Sequence, residues 1–196
     1  MVRGLSGDTC RNLFYSIGLW SNNLRDADAA LFDIYQSCVR AGPEECPLHE
    51  ETAELIAKRV DRLLDRIKVE PIPYYNPGGP SGDTYGVIDY ALVKGMIFDT
   101  LYNTHGGGRL LLVTLSKLEK QDLLFAYRYI DSLFQCECPE SGKKSLPWQY
   151  MTPTYGIACG DAEPIDETME DAVALYEKIA QNTTFADTWP LHLFCS

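Results

Sequence analysis

The sequence predicts a mainly α-helical fold with at most short strands. Apolar residues recur at three- and four-residue spacing over several stretches, each bounded by capping or chain-breaking residues. No segment has the Val/Ile-rich runs of buried parallel strands, and the strand–helix alternation of a parallel α/β sheet is absent. With 196 residues, 45% hydrophobic and 23% charged, the chain can bury a core and is not composed like a disordered tail.

The elements follow in chain order. Residues 1–22 carry little pattern beyond the aromatic stretch Phe14, Tyr15, Leu19 and Trp20. From about Asp26 the spacing of Leu31, Ile34 and Cys38, with Tyr35 on the flank, predicts a helix that Gly42-Pro43 stops. A second helix is expected from about Glu51 to Ile67, with the stripe Leu55, Ile56, Val60, Leu63, Leu64 and Ile67. Glu50 and Glu51 stand at its dipole-positive end. Four prolines and four glycines over residues 69–86 then break the helical rhythm. Val69 to Tyr75 reads as a short extended piece and Asn76 to Asp83 as a loop. Asp89 caps a third helix through about Leu101, with Tyr90, Val93, Ile97 and Leu101 on one side, and His105-Gly106-Gly107-Gly108 ends it. Further helices are expected at Leu110 to Leu118, Asp122 to Phe134, and Asp166 to Ala180, the last with Met169, Val173, Tyr176 and Ile179 inward. The acidic residues Asp161, Glu163, Asp166 and Glu167 fit a capping role before that helix. Cys136 to Leu146 reads as an exposed connection.

Charge narrows the partners. Seventeen Lys and Arg against twenty-eight Asp and Glu give a net charge of −11. That excess repels phosphate backbones and anionic lipids, so neither nucleic acid nor a membrane is an expected partner. The longest apolar runs, such as Leu123 to Tyr127, are too short for a membrane span. Arg59, Arg62 and Arg66 alternate with Asp61 and Asp65, the pattern of a solvated, self-paired helix face.

The seven cysteines are Cys10, Cys38, Cys46, Cys136, Cys138, Cys159 and Cys195. None of the spacings suits zinc, since Cys136 and Cys138 are one residue apart, and His49, His105 and His192 are isolated. No metal and no cofactor is expected. Cys38 and Cys46 flank the Gly42-Pro43 turn, a short loop that a disulfide could staple. Asn182-Thr183-Thr184 is a glycosylation sequon, so Asn182 is a candidate carbohydrate site. Both features favour an oxidising compartment, although Met1 to Cys10 lacks the apolar run of an export signal.

One string imitates a catalytic loop. Asn76-Pro77-Gly78-Gly79-Pro80 resembles the oxyanion loops of α/β-hydrolases, which would make Ser81 a nucleophile. Such a loop should accompany a G-x-S-x-G elbow, and the chain has none. No histidine carries a triad motif either, so no catalytic residue is assigned, and a flexible surface loop is the expected role, with a ligand-binding role as the alternative. Tyr74, Tyr75, Tyr85 and Tyr90 beside it read as core anchors, with pocket lining as the alternative.

Several segments, taken together, resemble one family. They are Gly18-Leu19-Trp20-Ser21-Asn22-Asn23-Leu24-Arg25-Asp26-Ala27-Asp28, then Cys38-Val39-Arg40-Ala41-Gly42-Pro43 with Cys46, and Tyr85-Gly86-Val87-Ile88-Asp89-Tyr90-Ala91-Leu92-Val93-Lys94. Ile97 to Tyr102, Gly156-Ile157-Ala158-Cys159-Gly160-Asp161, Phe185-Ala186-Asp187-Thr188-Trp189 and Cys195-Ser196 complete the set. In this order they resemble the tripeptidyl-aminopeptidase-like α/β-hydrolases, in the form of secreted fungal serine peptidases.

The resemblance implies that residues 1–22 lead in from a hydrolase core and that residues 23–196 form the helical lid inserted in it. In that family the nucleophile elbow lies upstream of this region and the catalytic Asp and His downstream, so no triad position is carried over. It also implies pairing of Cys38 with Cys46 and of Cys159 with Cys195, while Cys10, Cys136 and Cys138 fall outside the pattern. The expected role is to cover the active site and shape peptide access in a secreted enzyme, with the chain inactive alone. The peptide substrate and the hydrolase core are the implied partners. A free-standing helical binding protein derived from such a lid, or one half of a split enzyme, are the alternatives.

Overall fold

The computed structural model describes residues 24–79, 82–123 and 168–188. These are mainly helical, with one two-stranded sheet. The chain divides into two compact units, Ala29–Gln135 and a second that joins Met1–Asp28 to Cys136–Ser196.

In the first unit, helix α1 (Ala27–Ala41) ends where expected. Gly42 takes a φ of +80°, the left-handed conformation that only glycine adopts without strain, and its N–H returns to the Cys38 and Val39 carbonyls. Ile34, Tyr35 and Cys38 form its buried face. Helix α2 (Ala53–Val69) starts at Thr52, whose hydroxyl accepts the Leu55 N–H at 3.3 Å. Ile56, Val60, Leu63, Leu64 and Ile67 are buried along one stripe, each contributing about 1.5–3 kcal/mol of burial. Leu55, expected in that stripe, lies at its border and is exposed.

Next comes an antiparallel hairpin of β1 (Ile72–Gly79) and β2 (Gly82–Ile88). The strands extend through most of Asn76 to Asp83, where a loop was expected. The register pairs Ile72 with Ile88, Tyr74 with Gly86, Tyr75 with Tyr85 and Asn76 with Thr84, and shifts beyond Asn76. Pro77 falls in that irregular stretch, one of the places a strand tolerates proline. The Tyr74 side chain covers Gly86, where a Cβ would meet its hydroxyl at 2.6 Å. At the hairpin's base, the Lys68 ammonium sits 5.1 Å from the Tyr90 ring centroid.

Asp89 caps helix α3 (Tyr90–Thr100), accepting the Leu92 N–H at 2.8 Å. Val93, Met96, Ile97 and Phe98 are buried, so α3 contributes core on more than one side. A 3₁₀ turn at Leu101–Asn103 leads into helix α4 (Thr104–Glu119). The glycine triplet therefore lies in the first turn of α4 and does not separate two helices, contrary to expectation. Asn103 makes this possible by accepting the Gly106 N–H at 3.1 Å. Close packing makes it useful: a Cβ on Gly107 would lie 3.0 Å from Thr100 Cγ2, and one on Gly108 3.4 Å from Ile34 Cγ1. Helix α3 packs between α2 and α4, and Leu111, Leu115 and Leu118 of α4 are fully buried.

The second unit is described over residues 24–28 and 168–188. Helix α5 (Met169–Ala180) opens with a reciprocal capping box between Thr168 and Asp171. Within this unit, Thr184 donates its backbone N–H and hydroxyl to the Asp28 carboxylate. Leu24, Phe185 and Ala186 are buried in this unit. No residue of α5 is buried. Met169, Val173 and Tyr176 were expected inward, but are 75%, 49% and 44% exposed. Its half-buried side is instead Ala172, Leu175 and Ile179.

Candidate functional site

In the first unit, two surfaces of the described residues have functional character. One is an open cleft of about 620 Å³ between α1, the loop after it and the first turns of α4, a size suited to a small ligand. Its apolar floor is Ile34, Leu112 and the Cys38–Cys46 disulfide, and Gly108 lets the helices approach closely enough to form it. The rim carries Arg40, Arg109, Asp33 and Glu45 in exposed pairs, Arg109 to Glu45 at 3.3 Å and Arg40 to Asp33 at 4.0 Å. Arg40 also donates to Ser37 Oγ at 2.7 Å. Two cations balance two anions, so the cleft has no preferred ligand charge.

The second surface is the hairpin. Pro73, Tyr75, Tyr85 and Val87 share its outward face and are exposed, Tyr85 by 80% and Tyr75 by 63%. The Tyr75 hydroxyl donates to Asp83 at 2.8 Å, and that bond pushes the phenol above its usual range, with a smaller contribution from desolvation. Of the four tyrosines expected as core anchors, Tyr74, on the opposite face with Ile72 and Ile88, and Tyr90 are half-buried, whereas Tyr75 and Tyr85 are exposed.

Two polar groupings lie elsewhere in the first unit. Arg59 makes a bidentate contact with Glu119, at 2.9 and 2.6 Å, and a third bond to Glu50 at 2.9 Å. The Arg59 hydrogen bonds hold the Glu119 carboxyl below its usual range against opposing desolvation. Arg66 reaches the Leu118 carbonyl at 3.4 Å. The expected self-paired face of α2 is thus turned partly toward α4. Burial pushes the Asp61 carboxyl upward, with Lys94 acting against the shift and Asp65 adding to it. The buried Tyr35 phenol is raised beyond its usual range by burial first and by Asp61 second.

Of the residues singled out from sequence, Cys38 and Cys46 form a disulfide, with Cα atoms 5.4 Å apart. Asn182 is exposed beyond the end of α5, its Nδ2 donating to the Lys178 carbonyl at 3.0 Å. His105 lies on the cleft rim in the first turn of α4, and His49 in the loop before α2. Cys159, Cys195, Cys10, Cys136, Cys138, Ser81 and His192 lie outside the described residues, as do Asp161, Glu163, Asp166 and Glu167. Among the described residues no three His, Cys, Asp or Glu side chains are grouped to hold a metal ion. No described helix is long and apolar enough to cross a membrane.

Comparison with known proteins brings no match: no family model, no curated protein and no solved structure is similar to this chain.

Proposed function

We propose that this chain is the lid region of an α/β-hydrolase resembling a secreted serine aminopeptidase, covering the active site and shaping peptide access without a catalytic residue of its own. The observation that carries the reading is α5. An amphipathic helix with a capping box at its start leaves Met169, Val173 and Tyr176 exposed on one side. Uncovered apolar surface of this kind calls for a partner surface, and in a lid that partner is the hydrolase core. The Cys38–Cys46 bridge agrees with the pairing that the resemblance implies and with an oxidising compartment. Secretion and glycosylation at Asn182 belong to the same reading.

Reconstitution tests it. The purified chain is mixed with a lid-deleted, triad-bearing core from that family. Binding that Val173→Asp with Tyr176→Asp weakens about tenfold or more is expected, with fluorophosphonate labelling confined to the core's serine. Absence of binding would overturn the lid assignment. Stoichiometric labelling of this chain alone would overturn the non-catalytic one. Expression in a glycosylating host should give a glycosidase-sensitive mass shift that Asn182→Gln removes.

A further inference from the structure

The two edges of the hairpin are chemically unequal. Pro73 pairs with Val87 and has no N–H to give, so this pair cannot exchange two hydrogen bonds. It is therefore a non-hydrogen-bonded pair, as is Tyr75 with Tyr85 two positions on. Ile72–Ile88, Tyr74–Gly86 and Asn76–Thr84 then carry the ladder. The backbone groups of Pro73 and Tyr75 point away from the hairpin on the β1 side, and those of Tyr85 and Val87 point away on the β2 side. Proline blocks the β1 edge, since Pro73 stands at an outward position and Pro77 interrupts the strand just beyond. The β2 edge has no such block. Among the described residues, no backbone bond from outside the hairpin reaches Tyr85 or Val87.

Charge selects what can pair there. From Glu70 to Asp89 the chain has three acidic residues, Glu70, Asp83 and Asp89, and no Lys or Arg. Beside the open edge lie the exposed rings of Tyr75 and Tyr85, whose faces attract cations. A second copy of the chain would bring the same acidic hairpin and a net charge of −11 against itself.

We propose that the outer edge of β2 is a docking site for an extended, basic peptide segment, which adds a third strand at Tyr85 and Val87 and lays Lys or Arg side chains over Tyr75 and Tyr85. Main-chain pairing supplies the geometry and the acidic, aromatic face supplies the selection for positive charge. This site does not depend on the lid reading, because neither α5 nor a hydrolase core takes part in it.

The test uses the full chain and three capped heptapeptides: alternating Lys-Val, alternating Glu-Val, and the Lys-Val sequence with proline at its central position. Titrations followed by amide chemical shifts should show the Lys-Val peptide binding at Tyr85 and Val87. The Glu-Val and proline peptides should bind about tenfold more weakly or not at all. Val87→Pro copies the β1 block onto β2 at an outward N–H, leaving the ladder of the hairpin intact. It should weaken binding about tenfold, and Tyr85→Ser should weaken it severalfold. Equal binding of the basic and acidic peptides would overturn the charge selection. Unchanged binding by Val87→Pro, with the hairpin's amide shifts preserved, would overturn the strand addition. Concentration-dependent dimerisation that Val87→Pro abolishes would assign the edge to a second copy and overturn the basic partner.

Discussion

Helices α2 and α5 carry the same kind of sequence signal and meet opposite fates. Both begin at a threonine cap, both bear apolar residues at helical spacing, and both have basic residues in the last turn. In α2 the stripe from Ile56 to Ile67 is buried, with Ile56 and Ile67 fully enclosed. In α5 the stripe Met169, Val173 and Tyr176 faces outward. Periodicity therefore identifies a face that is suited to burial, whereas burial itself needs a second surface of matching shape. Helix α2 has α3 beside it, and further side-chain contacts to α4 through Arg59 and Arg66.

The largest expected effect breaks the better-packed side of this comparison. Ile67→Ala should cost about 2–5 kcal/mol, read as a lower urea midpoint with unchanged slope. A midpoint shift no larger than that of an exposed substitution would show that α2 is not held by its buried stripe. Removing the bridge beside α1 comes next. Cys38→Ser should cost about 2–3 kcal/mol, because the eight-residue separation closes a short loop in the unfolded chain. Reduction of the wild-type chain should give a similar drop in thermal midpoint, and identical midpoints would remove the staple from the account.

A smaller effect concerns the tie between α2 and α4. Glu119→Gln should cost about 1–2 kcal/mol at neutral pH, discounted because both partners remain partly solvated. The folded carboxyl titrates below its usual value of 4.5 because Arg59 donates to it. Its contribution is therefore complete above that value and is lost as pH falls through the lowered one. The wild-type and Glu119→Gln melting curves should converge on acidification, and a constant gap would contradict the linkage. The smallest effect lies on α5. Met169→Ser with Val173→Ser should change stability within about ±0.5 kcal/mol, as for exposed positions generally. A cooperative loss of several times that size would mean the stripe is covered in solution.

Much of the first unit was legible locally. Thr52 and Asp89 lie at or beside the expected helix starts, Gly42 ends α1 as a left-handed glycine, and Cys38 and Cys46 meet across the turn they flank. The hairpin was harder to see, because Pro71, Pro73, Pro77 and Pro80 obscure its alternation. Prolines are tolerated only where no ladder bond is lost, and that depends on the register. The glycine triplet was misleading for a similar reason. Its small size serves contacts with Thr100 and Ile34, one of them far off in sequence, and only the packing distinguishes this from a helix stop. Arg59 carried no sign of Glu119, sixty residues away. No motif distinguishes the cleft either, since its walls come from α1 and α4 and its floor from the bridge.

By itself, the amino-acid sequence determined the helical class, most boundaries of the described helices and the acidic character, and it marked Cys38 and Cys46 as residues that a bridge could join. These depend on forces acting within a few turns of chain: backbone capping, side-chain periodicity and short-loop closure. Tertiary structure alone decided which apolar stripes are buried, in which register the hairpin strands pair and which carboxylate Arg59 finds. Each of those outcomes depends on the spacing of elements remote in sequence. Burial and hydrogen bonding are short-ranged, so they take effect only when the fold brings the second partner within reach.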